Sequence, residues 1–90
     1  MYKIDWSISF NTAGGSNQDI EGGIGVDGAP QDEGTAHRFI GTASDVGNIA
    51  GTAIIRLNDE EPVHLMMRNN TDTQNIVVTH ASMSIVQVGA

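Results

Sequence analysis

The amino-terminal segment MYKIDWSISFN alternates between apolar and polar residues without a break. Its apolar positions are Tyr2, Ile4, Trp6, Ile8 and Phe10, and the positions between them are polar or charged. Successive side chains of a β-strand point to opposite faces, so this period of two predicts a strand with one covered face. An amphipathic helix would repeat its apolar residues with a period of 3.6, and the strict alternation of this segment does not follow that period.

The rest of the chain is divided into short apolar segments by Gly, Asn and Asp. A second strand is predicted through Ile20, Ile24 and Val26, with a tight turn at Asp27 and Gly28, and a third strand covers residues 36–44. Residues 51–69 are predicted to form a hairpin that turns between Asn58 and Pro62, and the last strand covers residues 75–88. With no helical period or linker, the sequence predicts an all-β fold in one domain, residues 1–90: a compact antiparallel β-sandwich or jelly roll.

The last strand has apolar residues on both faces. Strict alternation places Ile76, Val78, Val86 and Val88 on one face and Val77, Ala81, Met83 and Ile85 on the other. A thin sandwich covers only one face of each sheet, so the second face needs a partner. A chain of 90 residues without cysteines also lacks the disulfides that small domains use for stability. Both observations predict an oligomer.

Charge and hydropathy argue against two classes of partner. Four Lys and Arg against eleven Asp and Glu give a net charge of −7, and the basic residues are scattered. Binding to nucleic acid requires clustered Lys and Arg, so no nucleic-acid partner is expected. No apolar run of membrane-spanning length occurs, and the amino terminus has no basic region followed by an apolar core, so neither a membrane partner nor a signal peptide is expected.

One glycine-rich segment matches a nucleotide-binding pattern. Gly23, Gly25 and Gly28 spell G-x-G-x-x-G, which cradles a dinucleotide only when it joins a strand to a helix. The segment that follows, APQDEGT, contains a Pro, a Gly and two acids, and no helical run comes after it. We therefore expect these glycines to allow close backbone approach and to bind no cofactor.

No residue pattern predicts a catalytic or metal site. The chain has no G-x-S-x-G motif, and His80 lies within an alternating strand. Carboxylates in predicted loops could offer oxygen ligands to calcium, but no calcium-loop motif is present, and solvated acids are the favoured interpretation. These carboxylates are Asp19, Glu21, Asp27, Asp32 and Glu33.

The order of these segments resembles the trimeric jelly rolls of the tumour necrosis factor and complement globular-head superfamily, especially those of bacteriophage virion proteins. Tyr2, Ile4 and Trp6 match its Tyr-x-Ile-x-Trp strand, Leu57, Val63 and Leu65 its later hairpin, and residues 81–88 its closing strand. The acidic stretch from Asp59 to Pro62 replaces the family's Gly-Asp turn, and the strands that usually precede the first motif are absent. The resemblance therefore implies either a jelly roll with fewer strands or a fragment of a longer chain.

The resemblance implies a non-enzymatic virion protein, made in the host cytoplasm and located on the capsid exterior. Such a homotrimer would decorate and cement the capsid by binding the major capsid protein or another virion protein. The alternative is the receptor-binding knob of a phage tail or head fibre. A trimer axis is expected along His80, Ser82, Ser84 and Val86, and an open sheet edge for strand addition along Tyr2, Ile4, Trp6 and Ile8.

Overall fold

The computed structural model describes residues 1–43 and 45–89. Ser44, the end of the predicted third strand, and Ala90, the end of the predicted domain, lie outside the described residues. The regular structure is all strand, which confirms the predicted all-β class. The strands are β1 (Tyr2–Thr12), β2 (Ser16–Val26), β3 (Ala29–Pro30), β4 (Ala36–Thr42), β5 (Gly47–Ile55), β6 (Val63–Asn69) and β7 (Ile76–Gln87). In this part of the chain no helix is long and apolar enough to span a membrane.

The strands form two antiparallel sheets that pack as a small sandwich. In the first sheet β1 lies between β5 and β7. In the second sheet β2 is central, and its residues 20–22 pair with both β4 and β6. Since a strand has only two edges, β4 and β6 must lie on opposite edges of β2. The short β3 pairs with the end of β2 on the side of β4.

The core lies between the central strands of the two sheets. From β1 it receives Ile4, Trp6, Ile8 and Phe10, which are the alternating residues of the amino-terminal segment. From the second sheet it receives the isoleucines at positions 20, 24 and 40. These side chains are almost fully buried, so the predicted covered face of the first strand is confirmed.

The turn between β2 and β3 also matches the prediction. Asp27 and Gly28 have φ angles of 51° and 84°, and Val26 pairs directly with Ala29 across them. Two successive residues with positive φ define the tight turn that suits twisted antiparallel strands, and Gly adopts this conformation without steric cost.

The predicted hairpin over residues 51–69 is wrong. β5 pairs with β1 in the first sheet, whereas β6 pairs with β2 in the second sheet. The segment between Ile55 and Val63 therefore carries the chain from one sheet to the other. An alternating pattern identifies which face of a strand is covered, but it does not identify the neighbouring strand.

The predicted open edge along Tyr2, Ile4, Trp6 and Ile8 is also wrong. β1 is the central strand of its sheet, with β5 bonded to one edge and β7 to the other along nearly its whole length. Its backbone groups are used within the chain, so β1 offers no edge for strand addition. The strands that lie at the edges of this sheet are β5 and β7.

Candidate assembly surface and outer groove

β7 is an edge strand with little cover on either face. Within residues 1–43 and 45–89, the strand that pairs with β7 is β1, and no strand pairs with its other edge. The large apolar side chains of β7 and of the residue that follows it in the chain are between 36% and 56% exposed. They are Val77, Val78, Met83, Ile85, Val86 and Val88.

A β-bulge at Thr79 determines which residues of β7 share a face. Ser9 of β1 pairs with His80, but the next residue, Phe10, pairs with Val78. Thr79 is therefore an extra residue, and its hydroxyl donates a hydrogen bond of 3.0 Å to the Ser9 carbonyl oxygen. The bulge reverses the alternation, so the prediction that Val78 shares a face with Val86 is wrong.

The face of β7 directed toward the core side is apolar except at Gln87, its last residue, which lies opposite Tyr2. Its apolar residues are Ile76, Val78, Ala81, Met83 and Ile85, which we call the inner stripe. Ile85 lies opposite Ile4 and Met83 opposite Trp6, both of which are buried. In the inner stripe, by contrast, only Ile76 packs partly buried against the core. The core of the sandwich therefore ends along this strand.

The residues predicted to line a trimer axis lie together on the opposite face of β7. We call His80, Ser82, Ser84 and Val86 the outer stripe, and they are aligned with Ser9, Ser7, Asp5 and Lys3 of β1. The hydroxyl oxygens of Ser82 and Ser7 are 3.0 Å apart and form a hydrogen bond. The outer stripe is exposed and more polar than the inner stripe.

β6 continues the apolar surface from the second sheet. Val63, Leu65 and Met67 of β6 pack partly buried against the core, opposite Val26, Ile24 and Gly22 of β2. β6 and β7 contact each other at this side of the sandwich. We call the surface formed by the inner stripe and these three residues of β6 the open side.

The carboxyl-terminal strand has no acidic residue, no Lys and no Arg. From Ile76 to Gly89 the chain has no Asp, Glu, Lys, Arg or Pro. Natural edge strands usually carry such residues because they prevent edge-to-edge association with other chains. A 12-residue edge strand without them has the chemical character of a surface that another chain covers.

A groove crosses the outer face of the second sheet. It has a volume of about 540 Å³, and its floor is the β2 backbone at Gly23, where no side chain projects outward. Met66 and Arg68 of β6 lie on one side of the groove, and the loop that contains Gln31 and Thr35 lies on the other. Two glycines of the G-x-G-x-x-G match thus lie within a strand, and Gly28 lies in a turn. An added Cβ would first meet side chains at Gly23 and Gly25 and nothing within 4 Å at Gly28, so the expected close approach to other backbone is wrong for these glycines.

A cluster of charged side chains borders this groove. Arg68 Nη2 donates to Glu21 Oε2 at 2.9 Å, and His37 lies between two carboxylates, with its Nε2 3.1 Å from Glu21 Oε1 and its Nδ1 3.2 Å from Asp19 Oδ1. The cluster joins β2, β4 and β6 across the outer face. Its side chains are partly exposed, so each pair contributes at most about 1 kcal/mol.

The carboxylates considered as calcium ligands do not converge. The prediction that Asp19 and Glu21 lie in loops is wrong, because both belong to β2 and contact His37. Asp27 lies in the β2–β3 turn, and Asp32 and Glu33 lie in the loop before β4, with Asp32 beside the groove. Among the described residues, no group of three or more His, Cys, Asp or Glu is arranged to hold a metal ion.

Sequence reasoning missed the inner stripe as one continuous surface and missed the groove. The bulge at Thr79 has no signal in the alternation, so the apolar residues of β7 were assigned to mixed faces. The absence of charge from Ile76 to Gly89 was a readable signal for a covered strand. The groove depends on the packing of the loop at residues 31–35 beside Gly23, which is a long-range feature.

Comparison with known proteins gives no relative. No protein-family model, no curated protein and no solved structure matches the chain.

Proposed function

We propose that this chain is a non-enzymatic structural protein of a bacteriophage virion. It works as a homotrimer on the capsid exterior, where it decorates and cements the head. The proposal combines the resemblance to trimeric virion jelly rolls with the exposed carboxyl-terminal strand.

The observation that supports the trimer is the exposure of β7 on two opposite faces. The inner and outer stripes point in opposite directions. The inner stripe contains several large apolar side chains that are exposed, and the outer face of β7 contains two, Val86 of the outer stripe and Val77. A single twofold-related partner would cover one of these faces and leave the other in water. A cyclic arrangement gives each copy two neighbours, and a ring of three is the smallest that does so.

The side of the sandwich away from β7 carries exposed apolar side chains for a second kind of partner, on the outer faces of both sheets. Phe39 of β4, Val46 in the β4–β5 connection and Ile54 of β5 are each more than half exposed. A trimer closed through β7 would leave these residues free for the major capsid protein. Three such surfaces on one trimer would contact neighbouring capsid subunits, and modest contacts would add through multivalency.

The first experiment is native mass spectrometry of the 90-residue chain at micromolar concentration. We expect a species at three times the chain mass of 9.5 kDa. The second experiment incubates this species with heads isolated from the phage that carries the gene, followed by density-gradient sedimentation. We expect the wild-type trimer to sediment with the heads and a Phe39→Ser variant to remain at the top of the gradient. A wild-type protein that is trimeric but never sediments with heads would contradict the capsid role.

The groove favours a second candidate, the receptor-binding knob. Its glycine floor, its neighbouring Met66 and the polar groups of Arg68, Gln31 and Asp32 form a recess that could accept a sugar ring. A panel of immobilised neutral and acidic oligosaccharides tests this function. Binding by the wild type that is lost in Arg68→Ala, with the trimer mass unchanged, would select the knob over the decoration protein.

A further inference from the structure

The open side of the sandwich has the dimensions of a protein interface. A strand of 12 residues is roughly 40 Å long, and the sandwich is 17–18 Å across its two shorter axes. The product of these lengths is roughly 700 Å², close to the ~800 Å² that each partner contributes to a stable interface. The surface is large enough for another protein chain and is lined by the same residue types as the core.

The charge distribution identifies a copy of this chain as a suitable occupant. Each copy carries a net charge of −7, so two copies repel each other over most of their surfaces. The stretch from Ile76 to Gly89 has no charged residue, and on β6 the inward positions Val63, Leu65 and Met67 are apolar. The open side is therefore a surface through which two copies can approach without bringing carboxylates together.

We propose that the open sides of the three copies meet around the axis of the trimer, so that the inner stripes form the shared core of the assembly and the outer stripe of each copy meets a neighbour at the edge of this contact. This inference rests on the self-association in the proposed function and specifies the surface that carries it. In the isolated chain the inner stripe lies beside buried residues of β1 but faces solvent. Covering it with a second copy extends the existing core and requires no change in the pairing of β1 and β7.

The inner stripe supplies most of the binding free energy in this arrangement. Its members are Ile, Val, Ala, Met and Ile, whereas the centre of the outer stripe is His80, Ser82 and Ser84. The free energy gained on association scales with the apolar area removed from water, and the serine hydroxyls add little to that area. The outer stripe would then lie at the edge of the contact and contribute little to the binding free energy.

Two adjacent residues provide a matched test. Met83 belongs to the inner stripe and Ser84 to the outer stripe, and both are exposed positions of the same strand. We compare the wild type, Met83→Lys and Ser84→Lys by native mass spectrometry and by analytical ultracentrifugation over a concentration series. Met83→Lys should weaken association by about 100-fold or more, because it places an unpaired charge in an apolar interface. Ser84→Lys should change it by less than about tenfold.

The fluorescence of Trp6, the one tryptophan of the chain, shows whether each variant keeps the folded core. Ile85→Lys is a second inner-stripe variant, and it should reproduce the result if Met83→Lys fails to fold. An oligomer that is lost in Ser84→Lys and retained in Met83→Lys would overturn the inference while leaving self-association intact. A wild type that is folded and monomeric at all concentrations would overturn both, since the open side would then need a different protein as its occupant.

Discussion

Gly51 marks the closest approach between the first sheet and the loop before β4. A Cβ atom at this position would contact the Gly34 carbonyl oxygen and would lie 2.7 Å from Trp6 Nε1. These two atoms form a hydrogen bond of 3.1 Å, in which the indole N–H donates to the carbonyl. Gly51→Ala should therefore lower the free energy of unfolding by about 2–3 kcal/mol, through overpacking and the loss of this bond. Urea denaturation followed by Trp6 fluorescence measures the change.

Gly89→Ala is the control for this substitution. The nearest atom to an added Cβ at Gly89 is Met1 Cβ at 3.6 Å, an ordinary van der Waals contact. Its unfolding midpoint should match that of the wild type. Equal midpoints for Gly51→Ala and Gly89→Ala would contradict the close approach at Gly51.

Gln18 is a buried amide at the centre of a polar network. Its Nε2 donates to the Ser16 carbonyl oxygen at 3.0 Å and to Asp72 Oδ2 at 3.1 Å, and its Oε1 accepts from Asn69 Nδ2 at 2.9 Å. Gln18→Ala leaves a cavity and removes a partner from both Asp72 and Asn69. We expect a loss of about 2–4 kcal/mol in the free energy of unfolding, measured by urea denaturation.

Gln31 provides a matched comparison for Gln18. Its Nε2 also donates to the carbonyl oxygen of the residue two positions earlier, at 3.0 Å, but this bond is exposed. Gln31→Ala should change the free energy of unfolding by less than about 0.5 kcal/mol. If both variants are equally stable, the network around Gln18 does not hold the loop at residues 70–75 as the structure indicates.

At the scale of the strands, the pairing of β1 with β7 can be tested by a disulfide. Ser7 and Ser82 are directly opposite each other, with their hydroxyl oxygens 3.0 Å apart, and the chain has no cysteine of its own. In the double variant Ser7→Cys and Ser82→Cys, oxidation should close a bond within one chain. Because the bond closes a long loop, it should raise the free energy of unfolding by about 2–4 kcal/mol. Non-reducing electrophoresis and urea denaturation measure the two effects.

The control for the disulfide moves one cysteine by two positions. Ser84 lies opposite Asp5, so a cysteine there is diagonal to position 7, at roughly 7–8 Å between Cα atoms. The variant with cysteines at 7 and 84 should oxidise slowly and gain little stability. Fast oxidation of this pair and slow oxidation of the first would show a different register between β1 and β7.

The sequence predicted where the strands lie in the chain better than it predicted which strands pair with each other. The alternation from Tyr2 to Phe10 identified the buried face of β1, and Asp27 with Gly28 identified a turn, because both signals are local. The pairing of β5 with β1, and of β6 with β2, depends on contacts between residues far apart in the chain. No local pattern records such contacts, and this is why a sheet-to-sheet connection was mistaken for a hairpin.

The candidate surface was predictable in its location but not in its detail. Apolar residues on both faces of the last strand indicated a partner, and β7 is indeed exposed on both faces. The division into inner and outer stripes depends on Thr79, whose bulge changes the direction of every side chain that precedes it in β7. The amino-acid sequence of a strand with one bulged residue looks the same as that of a regular strand, so the bulge could not be predicted.

For the whole molecule, the total exposed surface is ordinary, but the distribution of the exposed apolar side chains is not. The accessible surface is 5275 Å², and a folded monomer of this mass exposes about 5,000 Å². The sandwich therefore buries a nearly ordinary share of its surface. The exposed apolar side chains nevertheless concentrate on one charge-free strand, while the charge of −7 is distributed over the rest. Attraction and repulsion between copies thus come from different parts of the molecule.

This separation predicts that salt strengthens the assembly. Raising the ionic strength from 0.01 M to 0.15 M shortens the Debye length from about 30 Å to about 8 Å, and it screens the repulsion between copies while leaving a charge-free contact unchanged. The dissociation constant should fall by about tenfold or more, as measured by sedimentation at each salt concentration. Replacing the exposed Asp59 and Glu60 by Asn and Gln changes the net charge from −7 to −5, so this variant should associate more tightly at low salt and respond less to added salt. A dissociation constant that rises with salt would instead indicate that ion pairs hold the copies together, which the charge-free strand β7 does not provide.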